Sequence, residues 1–230
     1  MKNLILIFVL ISFAFTTYAQ NTCQAYLPTN KGDVWEMSTY SPKNKLTGKV
    51  SYELLDKVVE GNETIYKVKN ICYDKKEKEI FENNFEAKCK DGVFEFDMAI
   101  FMSGEMMQSY NNMDLEINGT SLEMPSYDSK IGTNLKDGNL DMKIGADGVM
   151  PIKMSILMTN RKVEGKEQMT TEAGTFDCIV MSQNIKTKMM ISIESNTKDW
   201  YAENVGLVRS ESYNKKGKLT GYSVLTKLEN

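Results

Sequence analysis

The side chains able to do chemistry in this chain of 230 residues are defined first by what is missing, because it contains no histidine. That removes the commonest general base near neutral pH, the Ser-His-Asp and Cys-His nucleophile arrangements, and the usual zinc and iron ligands. Four cysteines remain, Cys23, Cys72, Cys89 and Cys178, widely spaced and without a C-x-x-C pair. Such spacing supports neither a zinc knuckle nor a thiol–disulfide active site. All four are disulfide candidates, and three complete pairings are open. A bridge would restrict the unfolded chain by about 2–4 kcal/mol, a stabilising role rather than a redox one. Asp and Glu fall mainly in turns and on the polar phase of alternating segments, so a solvated face is expected, not the paired carboxylates of a glycosidase. No Gly-rich phosphate loop follows a strand. The one compositional excess is methionine, 16 residues. Thioethers bind Cu(I) in exported proteins, but here they occupy apolar phases and read as adaptable core or pocket lining. No metal, no cofactor and no catalytic residue is expected, and the chain reads as a non-enzyme.

The elements that would position these residues are mostly strands. Apolar and polar residues alternate with a period of two in Ile152–Met158, where Ile152, Met154, Ile156 and Met158 share a face. The same holds from Ile185 to Ile193, with Ile185, Met189, Ile191 and Ile193 on one side, and in Val93–Phe96 and Tyr222–Val224. Turn signals separate the segments: Glu60-Gly61-Asn62, Lys90-Asp91-Gly92, Lys136-Asp137-Gly138-Asn139, Ala146-Asp147-Gly148 and Glu164-Gly165-Lys166. One stretch has a helical period: Met98, Phe101, Met102, Met106, Tyr110 and Met113 align along one side between Asp97 and Met113. The expected fold is mainly β, a strongly curved antiparallel meander sheet or partly closed β-barrel with one covering helix near 97–113. A local echo joins Tyr40–Gly48, Tyr213–Gly221 and, more weakly, Tyr73–Lys78, each an aromatic strand end running into a lysine-rich turn. Soluble hairpin tips that discourage edge-to-edge association account for it.

The N-terminus pairs Lys2 with an apolar run from Leu4 to Phe15, then Thr17 and Ala19 at the positions of a signal-peptidase site. A cleavable signal peptide over 1–19, cut after Ala19, and a single β domain over 20–230 are expected, in a secreted or periplasmic protein. The residues before Cys23 are Gln20-Asn21-Thr22, unlike a lipidation site. No later segment is apolar enough to span a membrane. Lys plus Arg number 28 and Asp plus Glu 31, a net charge of −3. That balance disfavours nucleic acid, and it offers no polybasic patch for anionic lipid.

Ala173-Gly-Thr-Phe-Asp-Cys178, then Trp200-Tyr-Ala-Glu-Asn-Val-Gly-Leu-Val-Arg209 and the Tyr213–Gly221 hairpin, resembles the signature of the TapB-like (DUF3108-like) family of exported bacterial proteins. Tyr26-Leu27-Pro28, Lys31-Gly32 and Cys89-Lys-Asp-Gly92 are similar too. The resemblance implies a curved, barrel-like antiparallel sheet in the cell envelope of a Bacteroidetes-type bacterium, and transfers no catalytic residue. The expected role is an envelope protein binding a hydrophobic or lipid-like small molecule inside the curved sheet, with Met102, Met106, Met154, Met158, Met189, Trp200 and Arg209 as candidate ligand-binding residues. A structural or assembly protein acting on an envelope partner through exposed hairpins and a sheet edge is the alternative.

Overall fold

The computed structural model describes residues 23–98, 114–145 and 151–229. The signal segment 1–19, nearly all of the helix expected at 97–113, and the Ala146-Asp147-Gly148 turn lie outside the described residues; of that helix only Asp97, which closes a strand, and Met98 are described. Among the described residues thirteen strands follow one another: β1 Val34–Tyr40, β2 Leu46–Glu60, β3 Glu63–Asp74, β4 Glu79–Lys90, β5 Val93–Asp97, β6 Asp114–Gly119, β7 Ser121–Glu123, β8 Gly138–Gly145, β9 Ile152–Thr171, β10 Gly174–Lys188, β11 Ser192–Ala202, β12 Gly206–Asn214 and β13 Leu219–Glu229. All pair antiparallel in one sheet ordered β6-β8-β9-β10-β11-β12-β13-β1-β2-β3-β4-β5-β7. β6 and β7 stand at its two ends yet are separated in the chain only by Thr120. The sheet therefore curls until its edges nearly meet, and the fold is a nearly closed antiparallel barrel. The seam is stitched where the Thr120 amide donates to the Asn139 carbonyl at 2.9 Å and the Asn139 amide donates to the Thr120 hydroxyl at 3.0 Å.

Strand alternation produces the inside. Leu54, Val68, Val163 and Leu225 are fully buried, joined by Tyr66, Phe94, Met181 and Tyr201. Each such aliphatic side chain contributes about 1.5–3 kcal/mol by leaving water. A second group, Met98, Leu122, Leu140, Met142, Ile144, Met154, Ile156 and Met158, packs where β8 and β9 approach the seam. Gly138 is needed there, since a Cβ would lie 2.7 Å from Leu122 Cδ1.

Three segments depart from the sequence expectation. Glu164-Gly165 is not a turn; Val180 pairs with Gly165 while Met181 pairs with Val163, so Glu164 is the extra residue of a β-bulge inside β9. Ile185–Ile193 is not one strand: β10 ends at Lys188, Met189–Ile191 turn the chain, and β11 starts at Ser192. Lys136-Asp137 likewise precedes β8 in the connection from β7, not in a hairpin. The turns at 60–63 and 90–93 do join paired strands.

One end of the barrel is closed by the N-terminal segment. Ala25, Tyr26 and Leu27 are buried there, Tyr26 stacks on Tyr127 at 4.6 Å, and its hydroxyl donates to the Pro125 carbonyl at 2.5 Å. A disulfide joins Cys23 to Cys89 across 66 residues. Cys72 and Cys178 are buried thiols outside that bridge, so one pairing forms rather than two.

Candidate functional site

β9 carries the feature that organises the interior. Ser182 pairs with Lys162 and Asn184 with Thr159, leaving Asn160 and Arg161 opposite Gln183 alone. Asn160 takes the left-handed conformation this second bulge requires (φ 53°), a role Asn fills at little cost. The bulge turns Arg161 inward, where it is 1 % exposed. Its Nη1 donates to the Lys136 carbonyl at 2.7 Å, its Nη2 to the Glu123 carbonyl of β7 at 2.8 Å, and its Nε to Gln183 Oε1 at 3.3 Å. One guanidinium thus ties β9 to the strand at the far end of the sheet, which is how the barrel is held shut.

Gln183 passes the network on. Its Nε2 donates to Asp199 Oδ2 at 3.2 Å; Thr197 Oγ1 donates to the same oxygen at 2.9 Å, and Ser210 Oγ to Oδ1 at 2.6 Å. Asp199 is fully buried, and loss of water pushes its carboxyl up to about 6 against the pull of these donors and of Arg161. Burial also raises the Tyr201 phenol well above its ordinary range.

Above this polar floor lies a cavity of about 330 Å3, lined by Ile156, Met158, Ile185, Tyr201 and Leu207 with Thr187 and Ser212 towards the strand ends. A second, apolar space of about 140 Å3 between Trp35, Tyr52, Phe85 and Phe96 shares Tyr201 and Leu207 with it. The larger volume falls in the range of small-molecule sites, which combine apolar walls with a few fixed polar groups. Its lining holds one carboxyl, so the converging acids of a glycosidase are not assembled there. A wider groove of about 690 Å3 runs over the surface past Lys166, Glu167, Asp177, Cys178 and Glu203. The Cys178 thiol in it is pushed up to about 12 by burial, far from a reactive thiolate.

The residues expected to form one site are dispersed. Met158 lines the cavity, and Met154 packs beside it against Met142 and Ile144. Met189 sits in the exposed β10–β11 turn. Trp200 belongs to an outward cluster with Cys178, Val180, Ala202 and Val208; its indole N–H donates to Glu167 at 2.9 Å and Lys198 Nζ lies 4.6 Å from its ring. Arg209 pairs with Glu211 at 2.7 Å and covers the Tyr222 ring at 4.7 Å, on the face of β12 opposite Ser210. Met102 and Met106 lie outside the described residues. The expectation missed Arg161, Gln183 and Asp199. Their signal was phase: Asp199 alternates with Thr197 and Tyr201, and Arg161 with Val163, so both charges sit on a buried side of a strand.

The architecture defines a class: a nearly closed antiparallel barrel, of thirteen strands among the described residues, plugged at one end and hollow above a buried carboxyl. Over residues 30–225 the chain matches the DUF3108-like family, and it belongs to that family. Two solved structures share the fold. One is a "putative exported protein with YmcC-like fold" from Bacteroides fragilis, 24% identical, covering 90% of this chain and 100% of that one at a TM-score of 0.76. The other is a "putative lipoprotein" from Parabacteroides distasonis, also 24% identical with 90% and 100% coverage, at a TM-score of 0.78. No curated protein matches the chain.

Proposed function

We propose that the mature chain, cut after Ala19, is a single-domain, non-catalytic protein of the bacterial envelope whose barrel holds a small hydrophobic or lipid-like ligand. The observation that carries this is the cavity of about 330 Å3 with apolar walls of Ile156, Met158, Ile185 and Leu207 over the Asp199–Gln183–Thr197 floor. Apolar walls reward removal of a ligand's hydrocarbon from water, and a polar floor fixes its orientation. The names of the two solved neighbours, an exported protein and a lipoprotein, support an envelope location. Cys23 is committed to Cys89, which favours a soluble mature chain over one lipidated at that sulfur. An assembly role through the sheet edge finds less support, because β6 and β7 are short and brought together through Thr120.

Native mass spectrometry of the protein purified from its own envelope tests the proposal. The expected result is an added mass that disappears in Thr187→Trp, whose indole would fill the upper cavity while leaving the buried network untouched. A bare polypeptide mass from that source for the unaltered chain would refute it.

A further inference from the structure

The three lysine-rich turns that echo one another in sequence are one structural device used three times. In each, the first residue donates its amide to the carbonyl of the fifth and accepts from the fourth: Ser41 with Lys45 and Asn44, Asp74 with Lys78 and Glu77, Asn214 with Lys218 and Gly217. The fourth residue has a positive φ every time, 56° at Asn44, 61° at Glu77 and 73° at Gly217. The sheet order makes them successive hairpins, β12–β13, β1–β2 and β3–β4, and strand registers place all three at the same end of the barrel. A direct contact joins the first two, where Tyr222 donates to Asn44 at 3.0 Å, and Lys215 ties the β12–β13 turn to Glu194 on β11 at 3.0 Å.

That end thus carries Lys43 and Lys45; Lys75, Lys76 and Lys78; and Lys215, Lys216 and Lys218, eight exposed lysines against Asp74, Glu77 and Glu79 in and beside the same turns, with Glu194 of β11 paired to Lys215. Asp74 is already accepting the amides of Lys76 and Lys78. The turns at the opposite end reverse the sign, with Glu60, Glu63, Asp91, Glu172 and Glu203 against Lys31 and Lys90. A nearly neutral total conceals a strongly polar barrel. Next to the basic turns stands the β10–β11 tip, where Met190 is 91% exposed, Ile191 72%, Ile193 60% and Met189 41%, with Lys188 at its base. Four large apolar side chains held out into solvent beside a ring of lysines have the two components of interfacial membrane binding, an insertable tip and an attraction to anionic lipid.

We infer that this end docks the protein on an anionic phospholipid bilayer, the Met189–Ile193 tip entering the headgroup boundary and the three lysine turns resting on the phosphates. The cavity's lining climbs to Thr187 and Ser212, just below these turns, so docking would bring its upper end to the lipid. The inference does not rest on the cavity being filled, since a protein with an empty lumen would bind vesicles equally.

Flotation of the mature chain with phosphatidylcholine vesicles, with and without phosphatidylglycerol, is the test. Binding is expected only with phosphatidylglycerol, and raising the salt should release the protein as the Debye length shrinks. Replacing Lys43, Lys76 and Lys216 together by Gln, one exposed residue per turn, should weaken partitioning on the order of a hundredfold, about fivefold for each charge. Met190→Ser with Ile191→Ser should weaken it by at least about tenfold. Both sets lie in solvent and should leave the circular dichroism unchanged, and Glu63→Gln with Glu172→Gln at the other end should cost no binding. Absence of flotation, equal binding to pure phosphatidylcholine, or indifference to both variant sets would overturn the inference, as a protein partner for this end would.

Discussion

Asp199 gives the sharpest test of the interior as described. Burial raises its carboxyl from 3.8 to about 6, so the folded state holds this proton more tightly than the unfolded chain. Stability from the neutral carboxyl is full below about pH 4 and is lost as the pH rises through about 6. A shift of roughly two units corresponds to about 3 kcal/mol of destabilisation above the window. Asp199→Asn imitates the protonated form. Its amide oxygen can accept from Thr197 and Gln183 as Oδ2 does now, and its NH2 can donate to the Ser210 oxygen once that hydroxyl rotates. Gln183 then keeps its own oxygen on Arg161. Urea unfolding of both proteins between pH 4 and pH 7 should show the variant more stable at neutral pH by up to about 3 kcal/mol, and the difference vanishing at the acid end. Parallel pH profiles would refute the reasoning, because they would mean that Asp199 is solvated and the floor is not dry.

Three further outcomes follow from single contacts. Arg161→Met should cost about 3–5 kcal/mol, since it strands the Glu123 and Lys136 carbonyls and opens the seam, and amide exchange should accelerate first at β7 and β8. Gly206→Ala should lower the melting temperature by an amount equivalent to about 1–3 kcal/mol: φ there is 98°, and a Cβ would meet the Tyr26 carbonyl oxygen at 2.8 Å. Reducing the Cys23–Cys89 bridge, which closes 66 residues, should cost about 4 kcal/mol in denaturant titrations and free the N-terminal segment to protease.

Strand identity was legible because one face of nearly every strand is buried, which writes a period of two into the sequence. Where that rhythm misled, the reasons are local. The alternation from Ile185 to Ile193 runs unbroken through a hairpin because a tip of three residues preserves parity: Thr187 faces Ile193 across the pair, as Ile185 faces Ser195. The tip Met189-Met190-Ile191 also contains none of the Gly, Asn, Asp or Pro residues that betray a turn. Glu164-Gly165 shows the converse, a turn-like pair absorbed as a bulge because β9 must bend around the barrel without ending.

The interior site was hidden for a different reason. Met, Trp and Arg were chosen as candidates by chemical type, whereas position on the strand decides which side a residue sees. Trp200 and Asp199 are neighbours on β11, yet the indole meets Glu167 outside and the carboxyl meets Gln183 inside. The basic end was hidden by topology. Lys43, Lys76 and Lys216 are scattered over most of the chain, and no window of sequence contains more than one of their turns. Only the circular order β12-β13-β1-β2-β3-β4 makes them neighbours, through the pairing of the last strand with the first. That β1–β13 closure brings two of the three basic turns side by side, so the barrel's charge asymmetry belongs to the order of its strands as much as to its composition.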